Sequence, residues 1–370
     1  MKLKIVNETT TEISEDPYGY ARVPEHLDQI EYGRFRNVYL YITEKCQLRC
    51  GHCYMGERLE RAKFMPLAEV KHVLQLWRKL GGSKLSILGG EPTLHPDFIE
   101  ICRYAKKTGY EKVILNTNGI GKALTILLQM EPEEFSYIQV SLDGGSPQTH
   151  DLVRGPGTFH LAWKTVETLA AKKFDTRIIC TVNQKNKADC LELIPKCEAV
   201  GASLVKFHVF SNIGNGLKNS EWAMSPTEWI EFYEQLEKIK KDYKIQVWYQ
   251  PTYANRQNIS RFTQQGYRGC IGRTLDRISI FPDGRAYVCS YLFDTAQNMF
   301  QIEDGQVKIN RGENEFELFT KVLTHSSCGS CKAPKACLGG CPAEELAMGS
   351  ASCKADPEII PVCRLWKSDF

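Results

Sequence analysis

Three cysteines within eight residues, Cys46, Cys50 and Cys53 in "KCQLRCGHCY", make a metal-binding pattern with one ligand too few. Three thiolates can hold three irons of a cubane cluster and leave the fourth iron open to a small molecule. The competing reading is a zinc site that borrows a fourth ligand, with His52 nearest to hand. A second cysteine-rich stretch, "CGSCKAPKACLGGC", carries Cys328, Cys331, Cys337 and Cys341, with Cys270 and Cys289 upstream and Cys353 and Cys363 downstream. Alone, residues 328–341 would suit a four-cysteine zinc ribbon. Fifteen cysteines in a 370-residue chain with no signal peptide, clustered at short spacings, favour thiolate–metal chemistry in a reducing compartment over a disulfide framework. The expected location is the cytoplasm.

Other segments able to do chemistry each close a short apolar run. "GGEP" (89–92) follows "KLSIL" (84–88), "NTNG" (116–119) closes "KVILN" (112–116), and "SLDGG" (141–145) closes "YIQVSL" (137–142). "TVNQKN" (181–186) closes "RIICTV" (177–182), and His208 lies near the end of "LVKFHV" (204–209). The three-cysteine segment itself follows "NVYLYI" (37–42). Helical stretches separate these runs. "PLAEVKHVLQLWRKLGG" places Val70, Val73, Leu74, Trp77 and Leu80 on one face, with Gly81 as a stop signal. Six β–α units in a row predict a parallel sheet with helices outside. Loops at the carboxyl ends of parallel strands share one rim, so segments spread over about 160 residues, from Cys46 to His208, are expected to face one cavity.

After Asn212 the pattern changes. "SPTEWIEFYEQLEKIKKDY" (225–243) predicts a helix capped by Ser225 with Glu228 as its reciprocal partner. "IQVWY" (245–249) reads as a strand, and "ISIFPDGRAYVCS" (278–290) as a hairpin turning at Pro282–Asp283–Gly284. The division expected is an N-terminal extension over 1–36, a partial barrel over 37–250 and a cysteine-rich unit over 251–370. Cys102, Cys180, Cys190 and Cys197 fall in apolar patterns and are expected in the core. A formal charge of +3 (47 basic minus 44 acidic) with no basic stripe argues against a nucleic-acid partner. No apolar run reaches the roughly 18–20 residues of a membrane span.

Taken together, "CQLRCGHC", "GGEP", "NTNG" and "SLDG" resemble the radical S-adenosylmethionine (radical SAM) enzymes, over about residues 37–209. The resemblance implies an α/β fold, a partial (β/α)6 TIM-type barrel. It implies a [4Fe-4S] cluster on Cys46, Cys50 and Cys53 whose open iron binds the amino and carboxylate groups of SAM. One electron then cleaves SAM to a 5′-deoxyadenosyl radical that abstracts hydrogen from substrate. His52 holds the family's aromatic position, near the adenine or the iron. Gly89 and Gly90 allow close backbone approach to the methionine part of SAM, and Glu91 accepts from its ammonium. Ser141 suits a ribose hydroxyl or the carboxylate, and Arg154 the carboxylate. Asn118 and Asp143 serve the same site or are turn residues.

The later cysteines resemble the SPASM extension of peptide-modifying radical SAM enzymes, and eight cysteines in this order favour two auxiliary iron–sulfur clusters. By the family's wiring, the first would use Cys270, Cys289 and Cys341, and the second Cys328, Cys331, Cys337 and Cys363. The first is then one ligand short. Cys353 fills that place, or substrate does. The resemblance implies a peptide or protein substrate and an electron donor such as flavodoxin or ferredoxin; with only 36 residues before the first barrel strand, the peptide is expected to be recognised by a separate leader-peptide-recognition protein or directly by the barrel mouth. Relatives that mature sulfatases place an aspartate after the cysteine of the G-x4-C element. Here that residue is Ser290, a poor base. A small-molecule dehydrogenase, acting for instance on an amino sugar, is the enzyme alternative. A metal-stabilised binding or electron-transfer protein is the alternative without catalysis.

Overall fold

The computed structural model of the chain describes residues 9–12, 35–249, 253–255, 257, 276–289, 292–303, 305–310, 321–324 and 359–361. Cys270, Cys328, Cys331, Cys337, Cys341, Cys353, Cys363 and Ser290 lie outside them.

A short strand β1 (Thr9–Glu12) precedes the six strands expected from the sequence: β2 (Asn37–Tyr41), β3 (Lys84–Leu88), β4 (Lys112–Thr117), β5 (Tyr137–Ser141), β6 (Thr176–Val182) and β7 (Leu204–Val209). β8 (Gln246–Tyr249), β9 (Tyr253–Asn255), β10 (Arg277–Ile280), β11 (Arg285–Tyr287), β12 (Phe300–Glu303) and β13 (Gln306–Ile309) follow, then β14 (Lys321–Thr324) and β15 (Ile359–Pro361). One sheet runs in the order β13-β12-β11-β10-β2-β3-β4-β5-β6-β7-β8. From β10 to β8 every neighbour is parallel, and β11 to β13 continue antiparallel. The ends, β8 and β13, do not pair, so the barrel is partial. β1 pairs with β14, and β9 with β15.

Helices fill the crossovers: α1 (Arg58–Arg61), α2 (Leu67–Lys79), α3 (Phe98–Lys107), α4 (Ala123–Leu127), α5 (Pro147–Arg154), α6 (Thr158–Ala171), α7 (Leu193–Ala199), α8 (Asn215–Lys218) and α9 (Pro226–Ile239). α2 buries Val70, Val73, Leu74 and Trp77, the face expected, while Leu80 is only partly covered. On β6 the alternation is plain. Thr176, Ile178, Cys180 and Val182 are buried under the helices, and Arg177, Ile179 and Thr181 face the lumen half-covered. Cys102, Cys180, Cys190 and Cys197 are fully buried in the main core, as expected. No helix among the described residues is long and apolar enough to cross a membrane.

The hairpin at Pro282–Asp283–Gly284 forms as read, but its first strand is not a separate layer. β10 pairs in parallel with β2, Arg277 opposite Asn37 and Ile280 opposite Leu40, so the barrel sheet runs directly into the extension. The Ser225 cap also forms: Glu228 N–H donates to Ser225 Oγ at 3.3 Å and Ser225 N–H donates to Glu228 Oε2 at 2.7 Å. Ser225→Ala is expected to cost about 0.5–2 kcal/mol, read as a lower urea midpoint at unchanged slope.

Candidate active site

The three-cysteine loop leaves β2 and folds back over the carboxyl ends of β3 and β4. It is stitched down by backbone. Ile42 N–H donates to Leu88 O at 2.9 Å, Gly90 N–H to Thr43 O at 2.8 Å, and Glu91 N–H to Lys45 O at 2.8 Å. This explains the glycine pair. A Cβ on Gly89 would lie 2.6 Å from Thr43 O, and one on Gly90 would lie 2.5 Å from Lys45 O and 2.8 Å from Cys46 Cβ. Gly90→Ala must therefore displace the cysteine loop. We expect a loss of about 1–3 kcal/mol and a clear fall in bound iron per chain by colorimetric assay.

Glu91, expected at the SAM ammonium, also has a structural use in the fold. It is fully buried, and both carboxylate oxygens are engaged. Oε1 accepts from Thr93 N (3.2 Å), Thr93 Oγ1 (2.7 Å) and Thr117 Oγ1 (2.7 Å), and Oε2 accepts from Asn118 N at 2.7 Å. Burial pushes its pKa up, and these donors oppose that. Its work is to lock the turn after β3 onto the end of β4. That lock presents Asn118, whose Nδ2 sits 3.8 Å from Cys46 Sγ and whose Oδ1 accepts from Gln47 Nε2 at 3.2 Å.

On the opposite side, Asp143 closes β5. It is fully buried, and its Oδ2 lies 2.5 Å from both His52 Nε2 and Arg154 Nε. Oδ1 accepts from Thr181 N–H at 2.7 Å. Burial alone would raise this carboxyl, but the Arg154 charge and then His52 hold it well below the usual carboxylate range. Arg154, at the end of α5, reaches Cys50 Sγ with Nη1 at 4.0 Å. His52 and Arg154 are thus tied into one network beside the thiols. Ser141, at the end of β5, is half-exposed on the same rim.

The loop after β7 supplies clamps that the sequence reading missed. Asn215 donates from its backbone to Cys53 O (2.9 Å) and from Nδ2 to Cys50 O (3.0 Å), and Asn219 Nδ2 donates to Gly51 O at 2.9 Å. A side chain on Gly51 would collide with the Trp222 ring. The signal available was "NIGNGLKNSEW" itself, a polar Asn/Gly run directly after a strand end.

The thiols fit an iron–sulfur cluster. Cys50 is buried, Cys46 and Cys53 are partly so, and backbone and side-chain N–H groups point at sulfur, as from Leu48 N to Cys46 Sγ at 3.4 Å. Burial pushes Cys46 up to about 11 and Cys50 up to about 12, so as free thiols they stay protonated until iron displaces the protons. Among the described residues, no three His, Cys, Asp or Glu side chains converge closely enough for one metal ion. A cubane gives each thiolate its own iron and takes a wider set.

A second layer joins this loop to the extension. Tyr41 stacks on Phe281 at 4.2 Å between ring centroids, Tyr41 Oη lies 3.0 Å from Tyr54 Oη, and Phe293 packs edge-on against Phe281 at 4.4 Å. Cys289 is buried in this same aromatic cluster, and Cys46 and Cys53 pack against it. Arg58 ties the two parts electrostatically. It is almost fully buried, 2.9 Å from Glu44, 2.8 Å from Asp294 and 3.2 Å from Asp283, with its guanidinium 4.2 Å above the Phe281 ring.

A strand-end thiol triad, a glycine-lined approach and a partial parallel barrel together have the form of a radical SAM domain. Residues 40–194 match the Radical SAM superfamily, and the chain carries a radical SAM domain. The cofactors of such a domain are a [4Fe-4S] cluster and SAM. An AdoMet-dependent heme synthase from Methanosarcina barkeri is 27% identical, over 80% of this chain and 88% of its own. The mycofactocin maturase MftC of Mycobacterium tuberculosis is 24% identical, over 91% of this chain and 86% of its own. The fold is similar to that of Streptococcus suis SuiB bound to precursor peptide SuiA, with a TM-score of 0.68 at 17% identity, covering 84% of this chain and 73% of that one. It is also similar to anSMEcpe with bound AdoMet and a peptide, at a TM-score of 0.60 and 17% identity, covering 85% and 91%.

Proposed function

We propose that this chain is a radical SAM maturase that abstracts hydrogen from a peptide or protein, with auxiliary clusters in its C-terminal extension. The observation that carries this reading is the contact of the Cys46–Cys53 loop with the aromatic cluster holding Cys289. Cys289 would help hold a second iron–sulfur centre, which would supply an acceptor for the electron of the substrate radical. The likeness to a mycofactocin maturase along 91% of the chain supports a peptide as that substrate.

In this account Cys46, Cys50 and Cys53 hold the SAM-binding cluster. Bound there, the cluster supplies the electron that splits SAM and releases the hydrogen-abstracting radical. Asn118 and Leu48 N–H groups steady the Cys46 sulfur. Arg154 and His52, oriented by Asp143, line the opposite wall, where Arg154 takes the SAM carboxylate. Ser141 and the Gly89–Gly90 backbone face the rest of SAM. Cys270, Cys289 and Cys341 hold the first auxiliary cluster, with Cys353 or substrate completing it. Cys328, Cys331, Cys337 and Cys363 hold the second. A cytoplasmic flavodoxin or ferredoxin supplies electrons.

A second reading, action on a tetrapyrrole, is favoured by the 27% identity to a heme synthase. The test is anaerobic reconstitution. Roughly 12 irons with matching acid-labile sulfide are expected for three cubanes, together with 5′-deoxyadenosine on addition of SAM and dithionite. Mass spectrometry of a precursor peptide encoded beside the gene should show a mass change. No 5′-deoxyadenosine from an iron-loaded sample overturns the enzyme reading. An unmodified peptide beside turnover of a porphyrin overturns the substrate.

A further inference from the structure

Asn118 makes a contact with the first thiol that the binding of SAM does not require. Its side-chain amide is fixed end for end by its neighbours. One terminal atom accepts from Ile120 N–H at 3.0 Å and from Gln47 Nε2 at 3.2 Å. Two N–H donors on one atom identify that atom as the oxygen, Oδ1. The other end is therefore the NH2 group, and it faces Cys46 Sγ at 3.8 Å. Asn118 is only 7% exposed, so water competes little for this donor. Its backbone is held as well, because Asn118 N–H donates to Glu91 Oε2 at 2.7 Å. One residue thus donates to a buried carboxylate with its backbone and to a sulfur with its side chain.

The three sulfurs are not served alike. Leu48 N–H reaches Cys46 at 3.4 Å, and the Met55 and Gly56 N–H groups bond Cys53. Those donors are backbone and follow from the path of the loop. Cys50 has Arg154 Nη1 at 4.0 Å, but the charge of Arg154 is balanced by Asp143. Among the described residues, Asn118 is the one uncharged side chain that donates to a sulfur of the triad. The carboxylate that bears on Cys46 is Glu91, which disfavours negative charge on that sulfur. The Asn118 amide opposes it. Reduction of an iron–sulfur cluster adds negative charge that the cysteine sulfurs share, so N–H groups aimed at those sulfurs favour the reduced form and raise the potential.

We propose that Asn118 sets the reduction potential of the SAM-binding cluster, its Nδ2–H group on Cys46 easing uptake of the electron that SAM cleavage needs. One electron passes to the cluster from the reduced donor protein, or from dithionite in vitro, and no bond or proton is exchanged at Asn118. The proposal rests on the assignment of Cys46, Cys50 and Cys53 to that cluster. It gives Asn118 a task that a turn residue or a simple contact to SAM would not have.

The experiment is potentiometry of the anaerobically reconstituted enzyme, followed by electron paramagnetic resonance. The SAM-binding cluster is identified as the signal that changes when SAM is added, and its potential is then measured without SAM. Asn118→Ser keeps an oxygen for the Ile120 N–H but is too short to reach the sulfur. Asn118→Asp keeps Oδ1 and puts a carboxylate oxygen where the NH2 group stood. The equilibrium constant for reduction should fall about tenfold in Asn118→Ser, equal to about 59 mV for one electron, and further in Asn118→Asp. Signals that SAM leaves unchanged should keep their potentials in both variants. A fall of less than about threefold in Asn118→Ser, or an Asn118→Asp potential above that of Asn118→Ser, overturns the proposal. An equal shift of every signal overturns it too, since that reports a general change in the fold. Loss of bound iron in Asn118→Ser also overturns it, by making the residue part of cluster assembly. Iron content and 5′-deoxyadenosine formation by the wild type report separately on the assignment of the three thiols.

Discussion

Cys50→Ala is expected to abolish SAM cleavage, lowering 5′-deoxyadenosine formation by well over the ~100-fold that loss of a mere outer-shell partner can cost. Cys50 is the most enclosed of the three thiols and the one that Arg154 approaches. Without it one iron of the cluster has no protein ligand, and Asn215, which holds the Cys50 carbonyl, has no way to supply one. Iron per chain should fall with activity. Cys102→Ala is the control, because that thiol is fully buried in the main core, remote in sequence from the loop. It should cost about 1 kcal/mol of stability and leave iron content at the wild-type level. Turnover of Cys50→Ala within tenfold of wild type would remove the thiol triad from the mechanism.

The second large effect is expected at Asp143. Asp143→Asn keeps the shape of the side chain and removes the charge that balances Arg154 and His52, both 2.5 Å away. A buried cation left without its partner costs about 3–5 kcal/mol, and the wall beside Cys50 loses its orientation. SAM cleavage should fall with it, while Asp143→Glu should recover little, because Thr181 N–H fixes the position of Oδ1. The pH dependence has a definite sign. The folded pKa lies below the unfolded value of about 3.9. The stabilisation is therefore complete above about pH 4–5 and is lost as pH falls through the folded value. Urea midpoints of wild type and Asp143→Asn should differ widely at pH 7 and converge below about pH 4. A gap that is constant with pH would mean that the carboxylate charge is not what matters.

The three cysteines stood out by their spacing, which left a zinc site open, and the loops that close the next three strands turned the reading toward a cluster. The six central strands were legible too, since β-branched runs such as those of β4 and β6 need no distant information. What the sequence concealed was pairing at long range. Asn215 and Asn219 hold Cys50 and Gly51 across roughly 165 residues of chain, and a polar run carries no mark of its partner. The structural use of Glu91 was hidden for a related reason. A carboxylate beside a glycine pair reads as a ligand, and only the fold brings Thr93, Thr117 and Asn118 around it. β10 read only as half of a hairpin because its other neighbour, β2, lies some 240 residues earlier.

That pairing governs how the two ends of the molecule can move. Ladder hydrogen bonds between β10 and β2, the stacked rings of Tyr41 and Phe281, and the Arg58 clamp leave no hinge between the loop that anchors the first thiols and the turn that leads to Cys289. Electron tunnelling falls off steeply with separation, and a cluster held by Cys289, as proposed, would have that separation set by ladder-bonded backbone and not by a tether. A chimera that swaps the extension at a linker would therefore change the edge of the barrel as well, and should be joined beyond β11 if the redox spacing is to survive.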